Sequence, residues 1–147
     1  MEEKQLDFYQ KLREKIRKWI KSDKGKAHKW ADYLLFAPDL FHLLCKLSID
    51  PEVPAKEKAK LFAAIAYFIS PVDCMPEAIL GPIGYLDDIV VAAIVVNSLI
   101  NNTGPEIVKR HWAGDEDVLI VIKHILEVAD KMVGVGLLKK IGKFVLK

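Results

Sequence analysis

The stretch that decides the fold runs from residue 55 to residue 101: AKEKAKLFAAIAYFI (55–69), SPVDCMPEAILGPIG (70–84) and YLDDIVVAAIVVNSLIN (85–101). The first and third parts are rich in apolar residues and contain no proline or glycine. The middle part holds three prolines and two glycines, so it is not a continuous helix. The pattern predicts two helices, 55–69 and 85–101, that pair as a central buried hairpin.

Each half of this hairpin carries a long uncharged run. Residues 61–69 are all apolar, which predicts that this part of the first helix is buried on every side. The β-branched run 89–96 is compatible with a strand by propensity. Its length and the helical patterns on both sides favour a buried helix instead.

The flanking sequence adds helices around the hairpin. Apolar residues recur at steps of three and four in a basic first segment and again between Trp30 and Leu47, where Pro38 kinks or restarts the helix. A stiff connector, 50–54, follows, with Pro54 at the first helical position. Asp115 is predicted to cap a helix that ends near Val133, and a last helix covers about 137–146. We therefore expect an all-α, single-domain bundle (1–147) of about five or six helices.

Charge is distributed unevenly along the 147 residues, although the formal net charge is only +2. Residues 1–30 carry ten Lys/Arg and five Asp/Glu, and residues 131–147 carry five Lys and no acidic residue. The segment between them is acidic. Basic amphipathic segments at the two ends of a chain can bind anionic lipid, nucleic acid or an acidic protein surface.

Cysteine usage and the N-terminus indicate an intracellular protein. Cys45 and Cys74 lie among apolar residues and outside any metal-binding spacing, which is typical of buried free thiols. The start of the chain is acidic and polar, unlike a secretory signal. The longest uncharged stretches, 61–72 and 89–103, are shorter than the roughly 20 residues of a membrane-spanning helix, so we expect no ordinary transmembrane span.

Four carboxylates lie in the segment 70–88, which has no other charged residue: Asp73, Glu77, Asp87 and Asp88. One interpretation is that they cap helix starts by accepting hydrogen bonds from free amides. A second is that they converge as an oxygen-rich site for a hard divalent cation. A third is that two of them act as general acid and base, although no nucleophile or substrate anchor accompanies them.

The same hairpin resembles a known family. The run AYFISPVDCMPE (66–77), followed by GYLDD (84–88), resembles the signature of the YkvA-like family, a bacterial domain of unknown function, and the connector DPEVP (50–54) is similar to its lead-in. The resemblance covers about 38–100 and leaves the basic ends, 1–30 and 131–147, unexplained. It implies no activity, and only a weak link with membranes. Glu77 stands where the family usually has aspartate, which favours capping over tight metal geometry.

Other chemistries lack a pattern in this sequence. The histidines His28, His42, His111 and His124 are scattered and form no zinc motif, so we expect surface or helix-boundary positions. No phosphate-binding glycine loop or nucleophile elbow is present. The acidic middle would repel a nucleic acid, so we expect none as a partner.

We therefore expect a non-enzymatic cytoplasmic protein without a cofactor, a divalent cation being the alternative. Its basic amphipathic ends would associate with a protein partner or with the anionic inner face of the membrane. The predicted contact residues are Lys139, Lys140, Lys143, Phe144 and Lys147. Two alternatives stay open: an integral protein whose apolar hairpin enters the bilayer, and a metal-dependent enzyme that uses Asp73, Glu77, Asp87 and Asp88. Oligomeric state is not predicted.

Overall fold

A computed structural model describes residues 3–22, 31–69 and 85–132. This part of the chain is built from α-helices and contains no strand, which confirms the all-α prediction. The helices are α1 (Glu3–Lys21), α2 (Ala31–Leu34), α3 (Ala37–Ser48), α4 (Ala55–Ile69), α5 (Tyr85–Thr103), α6 (Glu106–His111) and α7 (Val118–Met132). Helix α5 is the centre of the bundle, because α2, α3, α4, α6 and α7 all pack against it.

The basic first segment forms α1 and packs along α3 through its apolar stripe. Leu12 and Ile16 are buried one turn apart. The ring of Phe8 lies 4.7 Å from that of Phe41 on α3. The apolar side of α1 is therefore buried against α3, and its charged side faces solvent.

Pro38 restarts a helix, as predicted. The chain turns after Leu34, and α3 begins at Ala37 with Pro38 in its first turn, where a missing backbone N–H costs nothing. Helix α3 buries most of its residues because α1, α4, α5 and α6 surround it. Cys45 is buried in α3, as predicted, whereas Cys74 lies outside the described residues.

Helices α4 and α5 form the predicted hairpin and run antiparallel. The start of α4 meets the end of α5 through Glu57 and Asn102, and the end of α4 meets the start of α5 through Phe68 and Tyr85. The prediction that residues 61–69 of α4 are buried on every side was wrong, because Phe62 is 52% exposed and Ile69 is 41% exposed. Helices α3 and α5 cover only one side of α4, so its outer apolar residues face solvent.

Helix α5 ends at Thr103, two residues after the predicted 101, and the start of α7 differs from the expectation. Gly104 has a φ of 91°, and its amide donates to the Ile100 carbonyl at 2.9 Å, which closes α5 in the left-handed conformation that glycine adopts freely. The short helix α6 follows, which was not predicted. Asp117, and not Asp115, caps α7: its Oδ1 accepts a hydrogen bond from the Leu119 amide at 2.9 Å.

Candidate functional site

The start of α5 places two consecutive carboxylates inside the protein. Asp87 is 2% exposed and Asp88 is 0% exposed, and both lie in the first turn and a half of the helix. Asp73 and Glu77 lie outside the described residues, so the predicted convergence of four carboxylates stays a prediction. Asp87 and Asp88 are the two members of that set whose environment the structure describes.

Asp88 is a buried acid without a hydrogen bond. Neither Oδ1 nor Oδ2 accepts a hydrogen bond within the described ranges, so Asp88 does not cap α5 there. Burial raises the pKa of Asp88 well above its usual range, and the negative charge of Asp87 raises it further. A charged carboxylate in this position needs a cation or a proton to offset its lost hydration.

Tyr85 is the first residue of α5 and lies close enough to Asp88 for the two side chains to interact electrostatically. Its ring stacks on Phe68 of α4 at a centroid distance of 6.4 Å. Burial, followed by the charge of Asp88, raises the pKa of Tyr85 to about 12, so the phenol stays protonated. Lys15 of α1 reaches to 5.9 Å from the Tyr85 ring centroid. The basic first helix therefore borders the acidic start of α5.

A second buried carboxylate, Glu57, has a different environment at the opposite end of the hairpin. It accepts hydrogen bonds from Asn102 Nδ2 at 2.7 Å and from Lys60 Nζ at 3.3 Å, and the Ser98 hydroxyl donates to it at 3.4 Å. Burial acts to raise the pKa of Glu57, but the hydrogen bonds from Asn102, Lys60 and Ser98 and the Lys60 charge lower it overall. This network joins α4 to α5, and Lys60 extends it by also donating to the Ser98 hydroxyl at 2.9 Å.

Asp50 and His111 form a third polar cluster, which sequence reasoning missed. His111 Nε2 lies 2.7 Å from Asp50 Oδ2, and Arg110 pairs with Glu52 at 2.7 Å. The bond to His111 is the largest cause that lowers the pKa of Asp50, followed by the Glu52 amide. The cluster ties the 50–54 connector to α6. The 61-residue separation of Asp50 and His111 gives no local signal in the sequence.

An open cleft of about 640 Å³ lies beside this cluster and is lined by His42, Lys46, Asp50, Glu52, Arg110 and His111, among others. The ring of His42 lies tilted against that of Tyr9 at a centroid distance of 5.3 Å, and burial followed by the charge of Lys46 lowers the pKa of His42. No Ser, Thr, Cys or Tyr side chain is among the residues that line this cleft. Among the described residues, no group of three His, Cys, Asp or Glu side chains could hold a metal ion.

The solvent side of α1 carries a row of cations. Arg13, Arg17 and Lys21 are exposed and spaced four residues apart, so they follow one side of the helix. Within the described residues, Arg17 and Lys21 form no ion pair, whereas the neighbouring Lys11 and Lys18 pair with Asp7 and Glu14. Arg13 lies over the ring of Tyr9 at 5.5 Å. An open cleft of about 390 Å³ lies along this row, and Gln10, Glu14 and Lys18 line it together with the three cations.

The hairpin also presents a small apolar surface. Phe62 and Ile69 on α4 and Ile94 on α5 are exposed large hydrophobic residues. One helix in the described part of the chain, α5, is long and apolar enough by length and composition to cross a membrane. The core helix of a helical bundle meets the same criterion, so the expectation of no transmembrane span stays a prediction. Half of its apolar window is buried against other helices, as in the core helix of a bundle.

The predicted contact residues at the C-terminal end lie outside the described residues. They are Lys139, Lys140, Lys143, Phe144 and Lys147. Of the histidines, His124 is exposed as expected, and His28 is outside the described residues. His111 is the last residue of α6, a helix boundary as expected, and it also contacts the buried carboxylate of Asp50. His42 departs from the expectation, because it lies in the middle of α3 and is half-buried.

Comparison with known proteins places the hairpin in a family context. Residues 57–94 match a family described as "Protein of unknown function (DUF1232)". This match extends from Glu57 on α4 to Ile94 on α5, so it includes Asp87 and Asp88 and excludes α1 and α7. The name YkvA-like, inferred from the hairpin signature, stays a prediction.

One curated relative is the "Uncharacterized protein ORF9" of Methanothermobacter thermautotrophicus, which is 30% identical over 92 residues. The alignment covers 63% of this chain and 61% of that protein. That relative is archaeal, so a bacterial source stays a prediction. No solved structure matches the chain. The similar proteins carry no described activity, in agreement with a protein of uncharacterised function.

Proposed function

We propose that this protein is a non-enzymatic helical module that associates peripherally with an anionic membrane surface through its basic helices. The observation that carries the proposal is the row of exposed cations on α1, Arg13, Arg17 and Lys21. A basic side chain near anionic lipid contributes about 1 kcal/mol, so several together give weak, salt-sensitive binding. The inner face of the cell membrane is the proposed location.

Packing favours electrostatic contact over deep insertion. The apolar residues of α1, Leu12 and Ile16, are buried against the bundle and do not face a bilayer. Helix α5 is likewise packed on several other helices. The C-terminal segment, with Lys139, Lys140, Lys143, Phe144 and Lys147, would supply a second basic contact in this proposal.

Vesicle sedimentation with the full chain tests the proposal. We expect binding to phosphatidylcholine vesicles that contain about one third phosphatidylglycerol at 50 mM NaCl, and loss of binding at 500 mM NaCl, where the Debye length shrinks to a few ångströms. Neutral phosphatidylcholine vesicles should not bind. Absence of binding to the anionic vesicles at 50 mM NaCl would refute the proposal.

Two charge-matched variants locate the contact. Arg17→Glu with Lys21→Glu should reduce anionic vesicle binding at least tenfold. The control, Lys109→Glu with Lys123→Glu, makes the same charge change on exposed residues of α6 and α7 and should bind nearly as wild type. Equal losses in both variants would show that net charge, and not α1, governs binding. Lys140→Glu with Lys143→Glu measures the share of the C-terminal segment.

Extraction distinguishes the peripheral proposal from the integral alternative. A peripheral protein is released from membranes by carbonate at high pH, because electrostatic contacts are lost. Retention in the membrane pellet after this wash would favour insertion of the hairpin that contains Phe62, Ile69 and Ile94.

A further inference from the structure

Asp88 is a buried acid whose two carboxylate oxygens both lack a hydrogen bond within the described ranges. Its side chain is fully buried. Glu57 shows how the same hairpin treats a carboxylate that serves only the fold: an amide, an ammonium and a hydroxyl surround it. The contrast indicates that Asp88 has a purpose other than joining two helices.

The surroundings of Asp88 are suited to a small cation. Asp87 is the next residue along the same helix turn, is also buried, and lies close enough for its charge to act on Asp88. Two negative charges in a site of low polarity repel each other, and a divalent ion between or beside them removes that repulsion. Carboxylate oxygens are the ligands that Mg²⁺, Mn²⁺ and Ca²⁺ prefer.

We propose that Asp88, with Asp87 beside it, binds a hard divalent cation at the start of α5. Asp88 supplies the oxygen ligands that lack hydrogen-bond donors in the described part of the chain, and Asp87 contributes negative charge. Mg²⁺ is commonly held by only one or two protein carboxylates together with other oxygen ligands, so the Asp88 carboxylate is enough for a site of modest affinity. The cation ties the start of α5 to the fold and is independent of membrane binding.

Thermal unfolding and calorimetric titration of the full chain test this proposal with Mg²⁺, Mn²⁺ and Ca²⁺ added separately to EDTA-treated, dialysed protein. At a cation concentration 100-fold above Kd, the Tm of the wild type should rise by about 5–10 °C. Asp88→Asn should abolish both this rise and the heat of binding. Asp115→Asn, the same change at an exposed position, should retain both.

Two results of this titration would overturn the proposed cation site. A wild-type protein whose Tm and heat signal do not respond to 10 mM of any of the three cations would overturn the proposal. An equal response of the wild type and Asp88→Asn would place the cation elsewhere and would also overturn it. If Asp88→Asn does not fold, Asp87→Asn takes its place, and its affinity should fall at least tenfold. No lipid is present, so failure of the membrane proposal cannot affect the result.

Discussion

At the scale of single residues, two buried carboxylates in one hairpin have opposite electrostatics. Glu57 is surrounded by donors, and its pKa is lowered on balance. Asp88 has no such donors within the described residues, and burial raises its pKa. Both side chains have little solvent exposure, but Asp88 lies deeper, has no donor in the described residues and has the charge of Asp87 beside it, whereas three donors stabilise the charge of Glu57.

The raised pKa of Asp88 predicts how Asp88→Asn changes stability in EDTA. The favourable contribution of the protonated acid is fully present below the unfolded-state pKa of about 4 and is lost as the pH rises through the higher folded-state pKa. Asparagine stays neutral throughout. The variant should therefore match the wild type near pH 4 and exceed it by about 1–3 kcal/mol near pH 8, the scale of a buried unsatisfied polar group.

Urea unfolding of both proteins between pH 4 and pH 8 measures this difference. Asp115→Asn serves as the exposed control and should show no comparable increase in its stability advantage with pH. A constant difference between Asp88→Asn and the wild type across this range would contradict the assigned pKa direction. Added Mg²⁺, Mn²⁺ or Ca²⁺ should reduce the advantage of the variant if the proposed cation site is correct.

At the scale of elements, the two sides of the amphipathic helix α1 have different surroundings. Its apolar stripe contacts α3, as the ring pair of Phe8 and Phe41 shows. Its charged side remains in solvent, where Arg17 and Lys21 are exposed. The helix can therefore meet anionic lipid without leaving the bundle, because the two tasks use opposite sides.

Truncation of the α1 stripe tests whether this packing is needed for stability. Leu12→Ala should lower the free energy of unfolding by about 2–4 kcal/mol, since it removes buried methyl groups and leaves a cavity. Leu6→Ala, at a position that is 46% exposed on the same helix, should cost less than about 1 kcal/mol. Equal, small losses in urea unfolding would show that α1 is not part of the folded core in solution.

At the scale of the whole molecule, polar clusters join segments that are far apart in sequence. Asp50 and His111 link the connector to α6, and Glu57 and Asn102 link the two helices of the hairpin. Both carboxylates have lowered pKa values. Their stabilising contributions are present above the unfolded-state pKa of about 4 and are lost as the pH falls through the folded-state values.

The protein should therefore lose stability at acidic pH, because protonation of Asp50 and Glu57 weakens their hydrogen bonds to His111 and Asn102. We expect the free energy of unfolding of the wild type to fall steadily below about pH 4.5. Asp50→Asn combined with Glu57→Gln should be less stable at pH 7 and should show a flatter acid dependence. Glu127→Gln, an exposed control, should retain the wild-type slope. An unchanged slope in the double variant would contradict the assigned roles of Asp50 and Glu57.

Local sequence patterns were sufficient for the helical framework. Residues 55–69 are apolar and free of breakers, and α4 has the bounds that were predicted. Pro38 restarts a helix because proline is accommodated in a first turn. These features depend on neighbours a few residues apart, so the sequence alone determined them. The short α6 was missed because six residues carry too little periodicity to indicate a helix.

Only the tertiary structure decided which polar residues are buried and which of them have partners. The sequence marked Asp87 and Asp88 as notable, but helix packing makes Asp88 a buried acid without a hydrogen-bond donor in the described residues. It also brings His111 to Asp50 across 61 residues. Burial and pairing arise from contacts between distant segments, and these contacts leave no periodic trace in the chain. The sequence determined the helices, whereas packing set the electrostatics.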